Sequence, residues 1–199
     1  MRNLLLIPVM NFLICEANYS QLKLEVDAGY ISSLNKENIF SHTKDGIQGS
    51  LTLLFPSSDL TNLTGRIVYQ SRHFDKNSFS FIVPLVLGNS VPVVTDGDNL
   101  KSFGLMIGAR VLSGNKQNVS AFASAEAGLI YHSVSYYELN NQFKYKYAGD
   151  KTFFEYSFGL GMSFGVNENY SVNIEGKMSH IPAEGLVYFP INLGFMFPF

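Results

Sequence analysis

Phe154-Glu155-Tyr156-Ser157-Phe158-Gly159-Leu160-Gly161-Met162-Ser163-Phe164-Gly165-Val166 alternates without a break. Every even position is large and apolar or aromatic. Every odd position is Glu, Ser or Gly. Successive side chains of a strand point to opposite faces, so this stretch makes one apolar face and one polar, nearly side-chain-free face. A helix of the same sequence would scatter its apolar positions around the whole cylinder. Its glycines would also cost about 1 kcal/mol each relative to alanine. The stretch reads as a strand.

The same period of two extends outward from it in both directions. Tyr170, Val172, Ile174 and Met178 oppose Ser171, Asn173, Glu175, Lys177 and Ser179, and Val187 to Phe199 repeats the pattern with Phe189, Ile191, Leu193, Phe195 and Phe197. Upstream, an alanine-rich face from Val119 to Tyr131 opposes Glu126 and His132. Phe103, Leu105, Ile107, Ala109 and Val111 oppose Ser102, Gly104, Gly108 and Arg110. Ile67 and Tyr69 oppose Arg66, Gln70 and Arg72; Ile47, Leu51, Leu53 and Phe55 oppose Gln48, Ser50 and Thr52; Leu22 to Tyr30 opposes Lys23, Glu25, Asp27 and Gly29. Phe79, Phe81, Val83, Leu85 and Leu87 share a face, with Pro84 on the other, where its missing donor suits an edge, bulge or strand start.

Nine strand-like segments result: Gln21–Ile31, Ile47–Phe55, Leu63–Phe74, Ser78–Gly88, Lys101–Leu112, Asn118–Tyr137, Thr152–Val166, Tyr170–His180 and Leu186–Phe199. Compact turn sequences, Gly114–Asn118 and Asn167–Asn169, alternate with longer polar stretches near Ser32–Asp45, Asn89–Asn99 and Glu138–Lys151. Short turns at one rim and long loops at the other are the layout of a membrane barrel. Single-chain bacterial barrels have an even strand number. The expectation is therefore an all-β, single antiparallel up-and-down transmembrane β-barrel of eight strands, with ten as the alternative. The long Asn118–Tyr137 segment either extends beyond the membrane or conceals a turn.

Composition narrows the surroundings. Of 199 residues, 46% are hydrophobic and only 15% charged, against about 25% charged in a typical water-soluble domain. No run of about 18 apolar residues offers a helical span. A net charge of −2 gives no reason to expect nucleic acid. Met1-Arg2, the apolar Leu4–Ile14 and the small-residue pattern ending at Ala17 read as an export signal. The expected organisation is a cleaved signal peptide over 1–17 and a barrel over 18–199. The lone cysteine, Cys15, falls within the signal, which leaves the mature chain without a disulfide, cysteine nucleophile or thiolate metal site.

The polar face carries Lys23, Arg66, Arg72, Arg110 and Lys177 against Glu25, Asp27, Glu126, Glu155 and Glu175. In a soluble barrel these residues would be solvated. In a membrane barrel they would meet inside a narrow lumen, where opposite charges must pair or stay hydrated. Three features favour the membrane: small residues on the polar face, an aromatic ending, and tyrosines near strand ends. The tyrosines expected in an interfacial girdle are Tyr30, Tyr131, Tyr136, Tyr137, Tyr145, Tyr147, Tyr170 and Tyr188.

The ending Phe189-Pro190-Ile191-Asn192-Leu193-Gly194-Phe195-Met196-Phe197-Pro198-Phe199 resembles the C-terminal signature of outer-membrane barrels. The mature region resembles the small OmpA-transmembrane, OmpX and OmpW-like barrels, and Ala125-Glu126-Ala127-Gly128-Leu129-Ile130-Tyr131 is similar to a recurrent strand of that group. The resemblance implies a place in the cell outer membrane. The implied partners are outer-membrane lipids, lipopolysaccharide and the barrel-assembly machinery, which reads the Phe199 strand.

For function the first expectation is a structural, adhesion or surface-interaction barrel with a largely closed polar lumen, because the inner charges nearly balance and eight strands leave little bore. Phe143-Lys144-Tyr145-Lys146-Tyr147 is basic and aromatic, suited to lipopolysaccharide phosphates or a host surface. The alternative is a narrow channel or carrier for small or hydrophobic solutes, with Arg66, Arg72 and Arg110 as anion-selecting candidates. A second alternative comes from Ser179-His180-Ile181-Pro182-Ala183-Glu184, which is similar to the late strand of lipid A deacylases. That group carries His-x-Ser-Asn, and here Pro182 stands at the serine position and Ala183 at the asparagine position. A serine nucleophile needs a base beside it, and Ser179 would lie on the opposite face from His180. No catalytic, cofactor-binding or metal residue is expected. Asp96-Gly97-Asp98-Asn99 reads as a turn rather than a calcium loop, and His42, His73, His132 and His180 lack ligand spacing.

Overall fold

The computed structural model describes residues 22–33, 43–75, 94–113, 118–133, 137–139, 143–145, 150–167 and 169–199. The expected signal peptide lies outside them. Among the described residues there are eleven strands: β1 (Lys23–Ser33), β2 (Thr43–Pro56), β3 (Thr61–Phe74), β4 (Val94–Gly97), β5 (Leu100–Leu112), β6 (Val119–Ser133), β7 (Tyr137–Leu139), β8 (Phe143–Tyr145), β9 (Lys151–Gly165), β10 (Ser171–Ile181) and β11 (Leu186–Pro198). Eight of them close an antiparallel barrel in the order β1-β11-β10-β9-β6-β5-β3-β2, and β4, β7 and β8 form a separate three-stranded sheet. The eight-strand expectation holds.

The surplus of expected strands has a physical resolution. Asn118–Tyr137 is two elements rather than one. β6 leaves the wall at Ser133, and β7 starts at Tyr137 in the other sheet. The expected strand Ser78–Gly88 lies outside the described residues, and the wall closes without it because β3 pairs directly with β5 from Thr61↔Val111 to Arg72↔Leu100.

Closure is what a lipid environment demands, because a barrel satisfies every strand's backbone groups and leaves no open edge. Here the seam is β1–β11, paired from Lys23↔Pro198 to Ser33↔Tyr188, and the Phe199 backbone N–H donates to the Leu22 carbonyl at 2.9 Å. β5 and β6 approach closely at two glycines. A Cβ at Gly128 would collide with the Leu105 carbonyl oxygen, and one at Gly108 with that of Ala125.

The two ends differ. At one end, tight turns join β2 to β3 and β9 to β10. The Asn167 side chain accepts from the backbone N–H groups of Asn169 and Tyr170 at 2.9 Å each, a self-closing Asx turn. At the other end lie the long connections and one short one, the 3₁₀ turn Pro182–Glu184 closed by Gly185 in the left-handed region (φ 58°).

Burial settles which face meets lipid. Outward-facing Ile107 and Leu160 are 74% and 73% exposed, while inward-facing Arg72 and Lys177 are 0% and 1% exposed. A soluble barrel would show the reverse. The apolar face is the outer one, and the charges line the bore.

Candidate functional site: the filled lumen and the loop-end sheet

Strand parity brings the charged residues together, and shear decides which of them meet. Midway along the bore, Glu25 and Asp27 of β1, Ser50 of β2, Arg66 of β3, Arg110 of β5, Ser124 and Glu126 of β6, and Glu175 and Lys177 of β10 are all buried. Arg66 Nη1 donates to Glu126 at 3.2 Å, and Nη2 lies 3.5 Å from Asp27. Arg66 Nε donates to Ser50 Oγ at 2.7 Å, and the Ser50 hydroxyl donates to Asp27. Lys177 Nζ donates to Glu126 at 2.7 Å and stands 3.4 Å from Glu175. Arg110 Nη1 donates to Glu25 at 2.6 Å, with Nη2 3.9 Å from Glu175. Three cations and four carboxylates thus form one continuous network. Taking such ions out of water costs several kcal/mol each, which only close pairing and added hydrogen bonds offset.

Towards the turn end the Arg110 guanidinium lies 4.3 Å over the Phe122 ring, a cation–π contact between two buried side chains. Leu54 and Met106 are buried with it.

Towards the loop end amide and phenol groups join Glu155 and Arg72, and beyond them the bore becomes apolar. The Tyr188 hydroxyl donates to Glu155 at 2.5 Å and accepts from Gln70 Nε2 at 3.1 Å. Gln48 Nε2 donates to Asn192 Oδ1 at 2.5 Å. Arg72 sits 4.1 Å over the Tyr188 ring and donates to Gln70 Oε1 at 3.1 Å. Above this, Ile31, Ile130, Ile181, Leu186 and Tyr188 form an apolar cluster, with Phe153 against it. His132 Nδ1 lies 3.4 Å from Glu184 of the 3₁₀ turn. This cap was missed by sequence reasoning, although parity places Ile31, Ile130, Ile181 and Leu186 inward.

Tyr188 corrects another expectation. It is not in the girdle but wholly buried in the bore. Its neighbours Val187 and Phe189 point outward, so alternation forces it in. Tyr137 and Tyr145 belong to the loop-end sheet rather than the wall, while Tyr136 and Tyr147 lie outside the described residues. Tyr30, Tyr131 and Tyr170 do face outward near strand ends. Tyr30 donates to Asp45 at 2.5 Å, and Tyr170 stacks on Phe195 at 5.9 Å.

The residues considered for deacylation do not converge. Ser179 is buried in the lumen, while His180 is on the outer side, its Nδ1 2.7 Å from the Tyr156 hydroxyl. Pro182 opens the 3₁₀ turn. Among the described residues no group of three or more His, Cys, Asp or Glu converges as a metal site. Asp96 and Gly97 belong to β4. That strand pairs with β7 (Asp96↔Glu138, Gly97↔Tyr137), and β7 pairs with β8 (Tyr137↔Tyr145, Glu138↔Lys144, Leu139↔Phe143). Part of the basic-aromatic segment is therefore the outer strand of this sheet.

No protein-family model and no curated protein matches the chain. Solved structures do. Neisserial surface protein A is 13% identical with a TM-score of 0.60, over 89% of this chain and 97% of that one. Ail, the attachment invasion locus protein of Yersinia pestis, in complex with the heparin analogue sucrose octasulfate, is 16% identical with a TM-score of 0.52, over 89% and 99%. The outer membrane protein OprG of Pseudomonas aeruginosa is 8% identical with a TM-score of 0.51, over 89% and 97%. The shared fold is that of the small outer-membrane barrels.

Proposed function

We propose that this barrel serves surface interaction in the outer membrane: the wall and its filled bore are the anchor, and the loop-end sheet is the contact platform. The observation that carries this reading is the bore itself. Its central charged residues are paired with one another, and an apolar cluster lies above them at the loop end, which supports a bore closed to solute transport. Within the deacylase-like segment Ser179 and His180 lie on opposite faces of β10, so that segment brings no serine to its histidine, which supports a non-enzymatic role.

The partner chemistry is anionic carbohydrate. Lys144, Lys146 and Tyr147 follow one another in and after β8 with aromatic neighbours, a composition suited to sulfate or phosphate groups on sugars. The heparin-analogue complex of Ail, a barrel of the same fold, supports this choice of ligand. Lipopolysaccharide phosphates offer the same chemistry at the cell's own surface. The Phe199 strand would be read during assembly by the barrel-assembly machinery.

Two measurements test the reading. In a planar bilayer the purified barrel is expected to give no discrete conductance steps; stable steps would overturn the closed bore. Cells displaying the protein are expected to bind immobilised heparin in competition with sucrose octasulfate, and to lose that binding when residues 137–145 are replaced by a short Gly-Ser link. Undiminished binding by the replaced form, with no binding difference from cells lacking the protein, would remove the platform.

A further inference from the structure

The lipid-facing wall is not uniformly ridged. β9 and β10 pair Leu160↔Gly176, Met162↔Ile174 and Phe164↔Val172, and at Gly176 the outward row of β10 lacks a side chain between Ile174 and Met178. The result is a groove of about 320 Å³ lined by Leu160, Gly161, Met162, Phe164, Ile174 and Gly176. It lies within the apolar belt, so it is continuous with the surface that already meets lipid.

Its position along the wall identifies the leaflet. Phe164 stands next to the tight turn between β9 and β10, at the end where the short connections gather, and short connections of such barrels face the periplasm. From Phe164 to Leu160 the groove runs about 13 Å along the strand at about 3.3 Å per residue; with the roughly 35–45° tilt of such strands it rises about 10 Å, within the ~15 Å depth of one leaflet of a ~30 Å hydrocarbon core. At its foot Tyr170 is stacked on Phe195, an aromatic pair at interface height where headgroups lie. The outer leaflet is built from lipopolysaccharide, whereas the leaflet at this height holds phospholipid.

We propose that this groove is a binding site for one acyl chain of a periplasmic-leaflet phospholipid, seated between the β9 ridge and the Gly176 notch with its headgroup level with Tyr170. In a bilayer, lipid tails are as apolar as the wall, so selectivity for one site comes from dispersion contact in a fitted hollow. The notch supplies that fit. The inference depends on the fold and its orientation and not on the surface-interaction role.

The test uses the full chain expressed in a Gram-negative host, extracted from outer membranes in mild detergent and examined by native mass spectrometry. The wild type is expected to retain one phospholipid. Gly176→Leu fills the notch. A Cβ there meets only the Phe189 ring, at 3.1 Å, and a lipid-facing ring can turn aside. This variant is expected to retain the lipid about tenfold less, equivalent to about 1.4 kcal/mol. Leu160→Ala removes the ridge from the opposite side and is expected to act in the same direction. Gly65→Leu adds equal bulk to the outer wall where nothing lies within 4 Å of a Cβ, and it is expected to retain lipid like the wild type. A heat-dependent gel shift confirms that each variant is folded. The proposal is overturned if the folded wild type carries no phospholipid, if Gly176→Leu retains it undiminished, if Gly65→Leu loses it equally, or if lipopolysaccharide is the retained species.

Discussion

Glu126 accepts from both Arg66 and Lys177, so its carboxylate is the junction of the central network. Glu126→Gln leaves two buried cations short of a partner and is expected to lower unfolding free energy by about 3–5 kcal/mol, read from guanidinium unfolding in lipid vesicles. Adding Lys177→Met removes one stranded charge and is expected to recover part of that loss, since contacting residues couple in a double-mutant cycle. A cycle with no coupling would mean that the pair is solvated. Tyr188→Phe deletes one hydroxyl that joins Glu155 to Gln70 and is expected to cost about 1–3 kcal/mol, because the buried Glu155 oxygen loses a donor and the Gln70 amide loses an acceptor. Each inward placement followed from alternation. The pairing of Glu126 with Arg66 and Lys177 did not, because it depends on which strands are neighbours and how far they are staggered. Tyr188 was misplaced when its aromatic character was weighed above its parity.

Strands of about 9–11 tilted residues cross a bilayer, and β9 has fifteen residues, so part of the wall stands clear of the hydrocarbon. Among the described residues the loop-end sheet shares no ladder with the wall. Replacing residues 137–145 is therefore expected to leave the heat-dependent gel shift unchanged even as it removes the platform. By contrast, Gly128→Val forces β5 and β6 apart at a backbone contact and is expected to abolish the folded, faster-migrating band. A retained band would show that this approach is not needed for closure. Wall elements were legible because lipid on one side and packed charge on the other enforce strict alternation along each strand. The three short strands were not, because Tyr137–Leu139 and Phe143–Tyr145 are too brief to establish a period, and Tyr137 ran on in phase with β6.

For the molecule as a whole, inside-out burial gathers charge in the bore: Glu25, Asp27, Arg66, Arg110, Glu126, Glu175 and Lys177 are paired with one another there. Removing Phe199 deletes one outward aromatic and the backbone hydrogen bond to Leu22. It is expected to reduce the amount assembled in outer membranes far more than the stability of the fraction that folds, as measured by quantitative blotting against unfolding of the purified remainder. Equal losses in both would give Phe199 a purely structural part. The seam between β1 and β11 also sets an order of events in time. β1 is synthesised first, yet one of its two ladders cannot form until β11 has emerged, and until then the nascent sheet carries a raw edge at each side. Closure is thus a last step that no half-made chain can anticipate, and the interval before it is when the chain most needs an escort.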